Sequence, residues 1–331
     1  MVTPVRVGVL GVADIAVRRM LPAMSASADV DLVAVASRDR ARAAGAAARF
    51  GCRPVTGYEG VLTDPGVEAV YVPLPLALHA RWTGAALDAG KHVLAEKPLT
   101  ASFTETAHVA EQARRRGLAL MENIAFVHHP QHAEVARLVA AGVIGEPRTF
   151  RAVFTVPRRP AGDIRLRRDL GGGALADTGV YPVRAALRLL GPDLVVAGAV
   201  LSRSGGAEVE TAGAALLRTR GGVSAQLEFG MDHGYRSGYE IAGSAGRLSV
   251  DHVFTPPADH RPVIRREDRS GTTEIVVPAA DQIGLTLTAF ARAVRDGRAQ
   301  LDEAVLHEAR LLDAIRAASP PASAEPSAEC G

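Results

Sequence analysis

Only two lysines occur among the 38 Lys and Arg residues of the chain, Lys91 and Lys97, and the second stands in Ala95-Glu96-Lys97-Pro98 just after the apolar run His92-Val93-Leu94. A sequence that writes arginine almost everywhere a cation is wanted keeps a lysine here. A compact ammonium donates to a single oxygen and shifts its pKa readily, whereas a guanidinium stays charged and prefers flat, two-point partners. Farther along, Asp177-Thr178-Gly179-Val180-Tyr181 lies in a helix-like segment, Gly173 to Leu190, and sets a carboxylate and a phenol at i and i+4 on one face. Such a pair can flank a ligand.

The elements that must carry these groups are legible as alternating patterns. Strand-like runs at Val5 to Leu10, Val30 to Ala36, Ala69 to Val72, Lys91 to Leu94 and Leu118 to Met121 alternate with helical stretches at Ala13 to Ser25, Asp39 to Phe50, Leu76 to Ala89 and Thr104 to Gly117. This cadence predicts an α/β fold with a doubly wound parallel sheet, whose ligands lie over the carboxyl ends of the strands. Lys97 leaves one of those ends. After Asn123 a helix is expected at His129 to Ala141, followed by strands at Arg148 to Val156, Leu194 to Ser202, Ala212 to Arg218, Val223 to Phe229 and Tyr239 to Ala242. With the Gly173 to Leu190 helix as the interruption, these predict an α+β domain on an open, mostly antiparallel sheet. The expected boundaries are a dinucleotide-binding domain at 1–123, a substrate-binding and oligomerisation domain at 124–318 and a disordered Pro-, Ala- and Ser-rich tail at 319–331.

The first turn, Gly8-Val9-Leu10-Gly11-Val12-Ala13-Asp14-Ile15-Ala16, joins a strand to a helix through small residues. Its glycines are three apart, a departure from the strict dinucleotide fingerprint, but unpaired amides at a helix start suit a pyrophosphate. The second strand ends in Ala36-Ser37-Arg38 where an acidic residue would select NAD. Ser37, Arg38 and, one helical turn on, Arg42 instead suit the extra phosphate of NADP.

Composition excludes other classes. With 331 residues, 47% hydrophobic and 22% charged, the chain reads as a globular two-domain protein. A net charge of +2 with 4% aromatic residues does not make a nucleic-acid surface. No apolar run reaches the roughly 18 residues of a membrane span, and the N-terminus leads straight into a strand pattern, so a cytoplasmic location is expected. Cys52 and Cys330 lie too far apart in sequence to suggest a framework, and no metal site is expected. The histidines of Phe126-Val127-His128-His129-Pro130-Gln131-His132 have no cysteine or carboxylate to complete a ligand set. Substrate contact or packing is the preferred reading there.

Taken together, the glycine turn, Glu96-Lys97-Pro98 and the Asp177-x-Gly179-x-Tyr181 helix resemble the glucose-fructose oxidoreductase, inositol dehydrogenase and MocA family over essentially the whole chain. Val72-Pro73-Leu74-Pro75-Leu76-Ala77-Leu78-His79 and Gly171-Gly172-Gly173-Ala174-Leu175-Ala176-Asp177 look most like its sugar-nucleotide 3-ketoreductases, which make deoxysugars for natural products. Family members that oxidise inositol commonly carry His where this chain has Tyr181, which argues against that activity.

The resemblance implies a Rossmann domain and an NADPH-dependent reduction at carbon 3 of a nucleotide-linked, dTDP-type 3-keto-6-deoxyhexose. It implies cofactor contacts by Gly8, Gly11, Val12, Ala13, Asp14, Ile15, Ser37, Arg38, Arg42, Leu74, Pro75, His79, Glu96, Lys97 and Asn123. Substrate contacts are implied for Lys97, Gln131, Arg165, Asp177 and Tyr181. Charge growing on the carbonyl oxygen needs a donor placed in advance. Tyr181 is read as the immediate proton donor and Lys97 as the cation that lowers its pKa, with the reverse assignment left open. A homodimer or homotetramer is expected. Two other classes stay open: an NADP-linked dehydrogenase of the family acting on a free sugar, a sugar lactone or a dihydrodiol, and a nonenzymatic dinucleotide-sensing regulator.

Overall fold

A computed structural model describes residues 3–296 and 302–319; of the expected tail only Ser319 lies among them. Six strands, β1 (Val5–Leu10), β2 (Val30–Ser37), β3 (Arg53–Thr56), β4 (Ala69–Val72), β5 (His92–Glu96) and β6 (Leu120–Asn123), form a parallel sheet in the order β3-β2-β1-β4-β5-β6. The order reverses beside β1, and that switch point opens a crevice at the carboxyl ends. Strand β3 has no counterpart in the expected elements. It is a short edge strand with a proline and three exposed positions, so it carries no apolar signal.

Helix ends are fixed by local chemistry. Asp39 caps Arg40–Phe50 by accepting from the amides of Ala41 and Arg42, and Gly51 closes it in the left-handed region at φ 70°. The helix after β1 begins at Asp14 and passes through a π-turn, Ala16–Met20, into Leu21–Ala26.

The second sheet has eight strands: β7 (Pro147–Thr155), β8 (Leu194–Ser202), β9 (Ala212–Thr219), β10 (Ser224–Gly230), β11 (Arg236–Gly243), β12 (Gly246–Asp251), β13 (Val263–Asp268) and β14 (Gly271–Val276). Their order is β14-β13-β12-β11-β7-β10-β9-β8, antiparallel throughout except for the β7–β10 pair. The helix Val180–Leu190 packs its apolar face onto one side, sharing a core with Phe150, Phe154, Leu227 and Phe229. Strands β12 to β14 were not among the expected elements; their sequences alternate charges such as Arg265, Glu267 and Glu274 with few apolar residues.

The expected domain boundary differs from the packing. The helix Gln282–Arg295 returns to the first sheet, where Leu287, Phe290 and Ala291 join Val5, Val7, Val9 and Met20 in one core. The last helix, Ala304–Ala318, lies between the two halves: Val305 joins a core of the first, and Leu311, Leu312 and Ile315 join that of the second. The apolar surface of a doubly wound sheet must be covered on both faces, and this chain uses its C-terminal part to do so.

Candidate active site

A cleft of about 1210 Å3 runs from the β1 turn, past the ends of β4 to β6, to the helix Val180–Leu190 and the loop after β12. At its outer end Gly11 has φ 132°, and a Cβ there would lie 3.0 Å from Leu74 Cδ2. Glycine is required by conformation and by the close approach of the 73–75 loop. Val12, Ala13, Asp14 and Ile15 follow along the wall. Gly8 does not line the cleft, contrary to expectation. It sits inside β1 where a Cβ would be 2.4 Å from Val61 Cγ1, so its role is sheet packing.

The end of β2 presents cations. Ser37 is buried with its hydroxyl accepting from the Asp39 amide at 3.1 Å, and Arg38 is exposed at the rim. Asp39 is the nearest carboxylate in sequence, but its oxygen is committed to capping the helix. Arg42 Nη2 donates to the Val12 carbonyl at 2.6 Å and so ties the second helix to the first turn. The end of β2 thus sets two arginines along the cleft, with its carboxylate turned to the helix amides.

Deeper in, Glu96 accepts from Tyr71 Oη at 2.5 Å and from Asn123 Nδ2 at 2.6 Å. Asn123 Oδ1 is buried without a protein partner, an acceptor available to an amide or hydroxyl of a bound molecule. These features fit a dinucleotide whose nicotinamide end reaches Asn123. His79 lines the cleft, but its ring nitrogens face the carbonyls of Pro98 at 3.0 Å and Leu74 at 2.8 Å. It fastens the Leu74 and Pro98 segments together.

The chemical centre lies where the two halves meet. Lys97 Nζ donates to the Asp177 carbonyl at 2.7 Å and to its Oδ1 at 3.1 Å, and lies 5.1 Å from the centroid of the Tyr181 ring. Asp177 sits in a π-turn, Leu175–Gly179, that precedes the helix Val180–Leu190. In a π-turn the carbonyl of residue i meets the amide of i+5, and for Asp177 that residue is Pro182, which has no N–H to offer the carbonyl that Lys97 uses. The three preceding glycines are dictated by crowding. Added Cβ atoms at Gly171, Gly172 and Gly173 would lie 2.9 Å from Leu76 Cβ, 2.3 Å from the Arg165 carbonyl and 2.3 Å from Glu210 Oε1.

Electrostatics keep Lys97 and Asp177 ionised. Burial works against both. Even so, Lys97, Arg165 and Arg159 hold the Asp177 carboxyl down to about 2, while Asp177 and then Tyr181 hold the ammonium above its ordinary value. Arg165 Nε donates to Asp177 Oδ1 at 3.0 Å, and Arg159 Nη2 lies 3.5 Å from Oδ2.

For Tyr181 burial wins: it raises the phenol above its ordinary value, and Lys97 offsets only part of that. Lys97 acts on the phenol in the expected direction, but desolvation outweighs it, and the phenol stands above its ordinary value. Phe154, Phe254 and Phe126 surround the ring at centroid distances of 4.8, 5.5 and 5.9 Å. Among the described residues none hydrogen-bonds the Tyr181 hydroxyl, which faces the cleft.

Fourteen of the expected cofactor residues, all but Gly8, line this cleft, and so do Arg165, Asp177 and Tyr181. Gln131 does not. It is fully buried, donates to the Val253 carbonyl at 3.2 Å and serves packing beside His132, whose Nδ1 meets Tyr239 Oη at 2.9 Å. Among the described residues no group of His, Cys, Asp and Glu is arranged to hold a metal. Two contributors escaped the sequence reading. Arg159, with a buried and unpartnered Nε, comes from an extended segment without periodicity. Phe254 comes from the loop after β12, an element the pattern did not show.

Comparison with known proteins agrees with this geometry. A family description reading "oxidoreductase family, NAD-binding Rossmann fold" (GFO/IDH/MocA) matches residues 5–124, and the GFO/IDH/MocA C-terminal domain matches residues 132–249. The chain is 51% identical over 315 residues, 95% of each chain, to a dTDP-3,4-didehydro-2,6-dideoxy-alpha-D-glucose 3-reductase of Actinomadura kijaniata. It is 38% identical over 317 residues, 93% of this chain and 95% of the other, to a D-xylose 1-dehydrogenase (NADP(+)) of Haloferax volcanii. The crystal structure of a 3-ketoreductase from Actinomadura kijaniata in complex with NADP and TDP-benzene superposes with a TM-score of 0.93 at 51% identity, covering 96% of this chain and 98% of that one.

Proposed function

The chain belongs to the GFO/IDH/MocA oxidoreductase family, and on that premise we propose that it is an NADPH-dependent 3-ketoreductase of a dTDP-linked 3-keto-6-deoxyhexose in deoxysugar biosynthesis. The observation that carries this reading is Lys97, a half-buried ammonium held between Asp177 and the Tyr181 ring at the inner end of a cleft whose outer end is rimmed by Arg38 and Arg42. Bound NADPH supplies the hydride.

The residues of the chain do the rest. Gly11 to Ile15 receive the pyrophosphate, and Ser37, Arg38 and Arg42 receive the ribose phosphate. Asn123 Oδ1 accepts from the nicotinamide end. Lys97 meets the charge that develops on the sugar oxygen, and Asp177 keeps it protonated and aimed. Tyr181 gives the proton from its free hydroxyl. Because burial makes that phenol a weaker acid, Lys97 carries the larger share of the stabilisation. Phe154 and Phe254 exclude water from the same corner.

Arg159 and Arg165 favour a nucleotide-linked sugar over a free one, since two guanidinium groups beside the cleft suit a diphosphate. Oxidation of a free sugar is the second reading, favoured by the similarity to the xylose dehydrogenase. Among the described residues no helix is long and apolar enough to cross a membrane. Association with a second copy is expected through the outer face of the second sheet, where Val195, Val200 and Leu216 are exposed on β8 and β9. The assay is NADPH oxidation with freshly generated dTDP-linked keto sugar beside the same sugar without its nucleotide. Turnover of the free sugar alone refutes the proposed substrate.

A further inference from the structure

Behind the cleft, one carboxylate reaches both sides of the chemical centre. Glu122 in β6 accepts the Leu99 amide at 2.7 Å with Oε1 and the Arg184 guanidinium with Oε2. Leu99 follows Lys97 by two residues, and Arg184 stands one helical turn after Tyr181. The side chains of Glu122 and Arg184 are only 1% and 2% exposed. Arg184 also faces Glu308 Oε2 at 2.9 Å, an ion contact with the Nε hydrogen off the line of a hydrogen bond, and Asp302 Oδ2 at 3.3 Å. The Lys97 segment is thus pinned twice, by Glu122 at the Leu99 amide and by His79 at the Pro98 carbonyl.

Such a cluster is a poor device for stability alone. Desolvating a guanidinium and its carboxylates cancels most of their attraction, and apolar replacements of similar volume are often neutral or better. What apolar side chains do not supply is direction: a planar fork and a carboxylate fix two elements at a set distance and angle. Here those elements are the strand end that presents Lys97 and the helix that presents Tyr181. We propose that Glu122 and Arg184 are positioning residues, which set the Lys97 ammonium and the Tyr181 hydroxyl around one substrate oxygen. This rests on the reading of Lys97 as the group that meets the developing charge.

The test compares Arg184→Met, Arg184→Lys and the double variant Glu122→Gln/Arg184→Met, for kcat, KM, NADPH affinity and melting temperature. The single Arg184→Met leaves the two buried carboxyl groups of Glu122 and Glu308 facing no cation and loses stability; the double variant removes one of the two and recovers part of it. The expected result is that kcat does not recover. It stays about 100-fold low in the double variant, as a displacement of about 1 Å can cause, while NADPH affinity stays within about threefold of wild type. Arg184→Lys, which keeps charge and volume but loses the fork, should retain the fold and fall about tenfold in kcat. A kcat that returns with stability in the double variant, or an unchanged kcat in Arg184→Lys, overturns the proposal. Lys97→Met is measured alongside. If it turns over at the wild-type rate, the reading of Lys97 has failed; if it is slow while the Arg184 variants are normal, only the positioning role has failed.

Discussion

Lys97 Nζ donates to Asp177 twice, to the backbone carbonyl at 2.7 Å and to the carboxylate at 3.1 Å. The carbonyl sits in a π-turn whose i+5 residue, Pro182, has no N–H to donate, and the carboxylate is ionised because three cations surround it. One residue of the second half therefore holds the orientation and the charge of the one lysine at the cleft.

Asp177 should give stability a recognisable pH dependence. Its folded pKa, depressed from 3.8 to about 2, lies below the unfolded value. The contribution is present above about pH 4 and is lost as pH falls through about 2, amounting to about 2 kcal/mol. Asp177→Asn has no such titration. The difference in melting temperature between wild type and Asp177→Asn should shrink over that window; a constant difference contradicts the ion-pair account.

Cofactor choice should follow the cations at the end of β2. NADPH is expected to bind more tightly than NADH, and Arg38→Asp should cost about 1.5–3 kcal/mol of NADPH affinity while leaving NADH less affected. Titration of both cofactors into both proteins measures this. Equal affinities in wild type would remove the argument.

Arg159 and Arg165 should act on the substrate side. Arg159→Ala is expected to raise KM for a dTDP-linked sugar about tenfold or more, as befits a lost charge-assisted contact, with NADPH affinity retained. If KM for dTDP-linked and free sugars changes equally, the diphosphate is not what Arg159 meets.

The parallel sheet was legible because its strands are apolar runs buried on both faces, and β1 and β4 fall where the pattern put them, as does β8 at one edge of the second sheet. The other edge, β12 to β14, was not, since strands such as β13 and β14 are half-exposed and charged and give no clean alternation. The two C-terminal helices were missed as well, and with them the return of Leu287, Phe290 and Ala291 to the first core, because an amphipathic pattern does not say which sheet it covers. In the site, Lys97, Asp177 and Tyr181 were found from residue type and spacing. Arg159, Glu122 and Arg184 were not. Their roles come from contacts across the fold, which single-sequence patterns do not carry. Gln131 shows the converse: a polar residue beside histidines reads as functional, yet its partner is the Val253 carbonyl within the packing.

The central claim is that Lys97 meets the charge formed on the sugar oxygen, with Tyr181 assisting. The direct measurement is kcat for NADPH oxidation with a fresh dTDP-linked 3-keto sugar, in wild type, Lys97→Met, Tyr181→Phe and the double variant, each first shown to bind NADPH. Lys97→Met should lose about 100- to 1,000-fold, Tyr181→Phe should lose less, and the double variant should be little worse than Lys97→Met, since groups acting as a unit are not additive. Wild-type turnover by Lys97→Met would contradict the account.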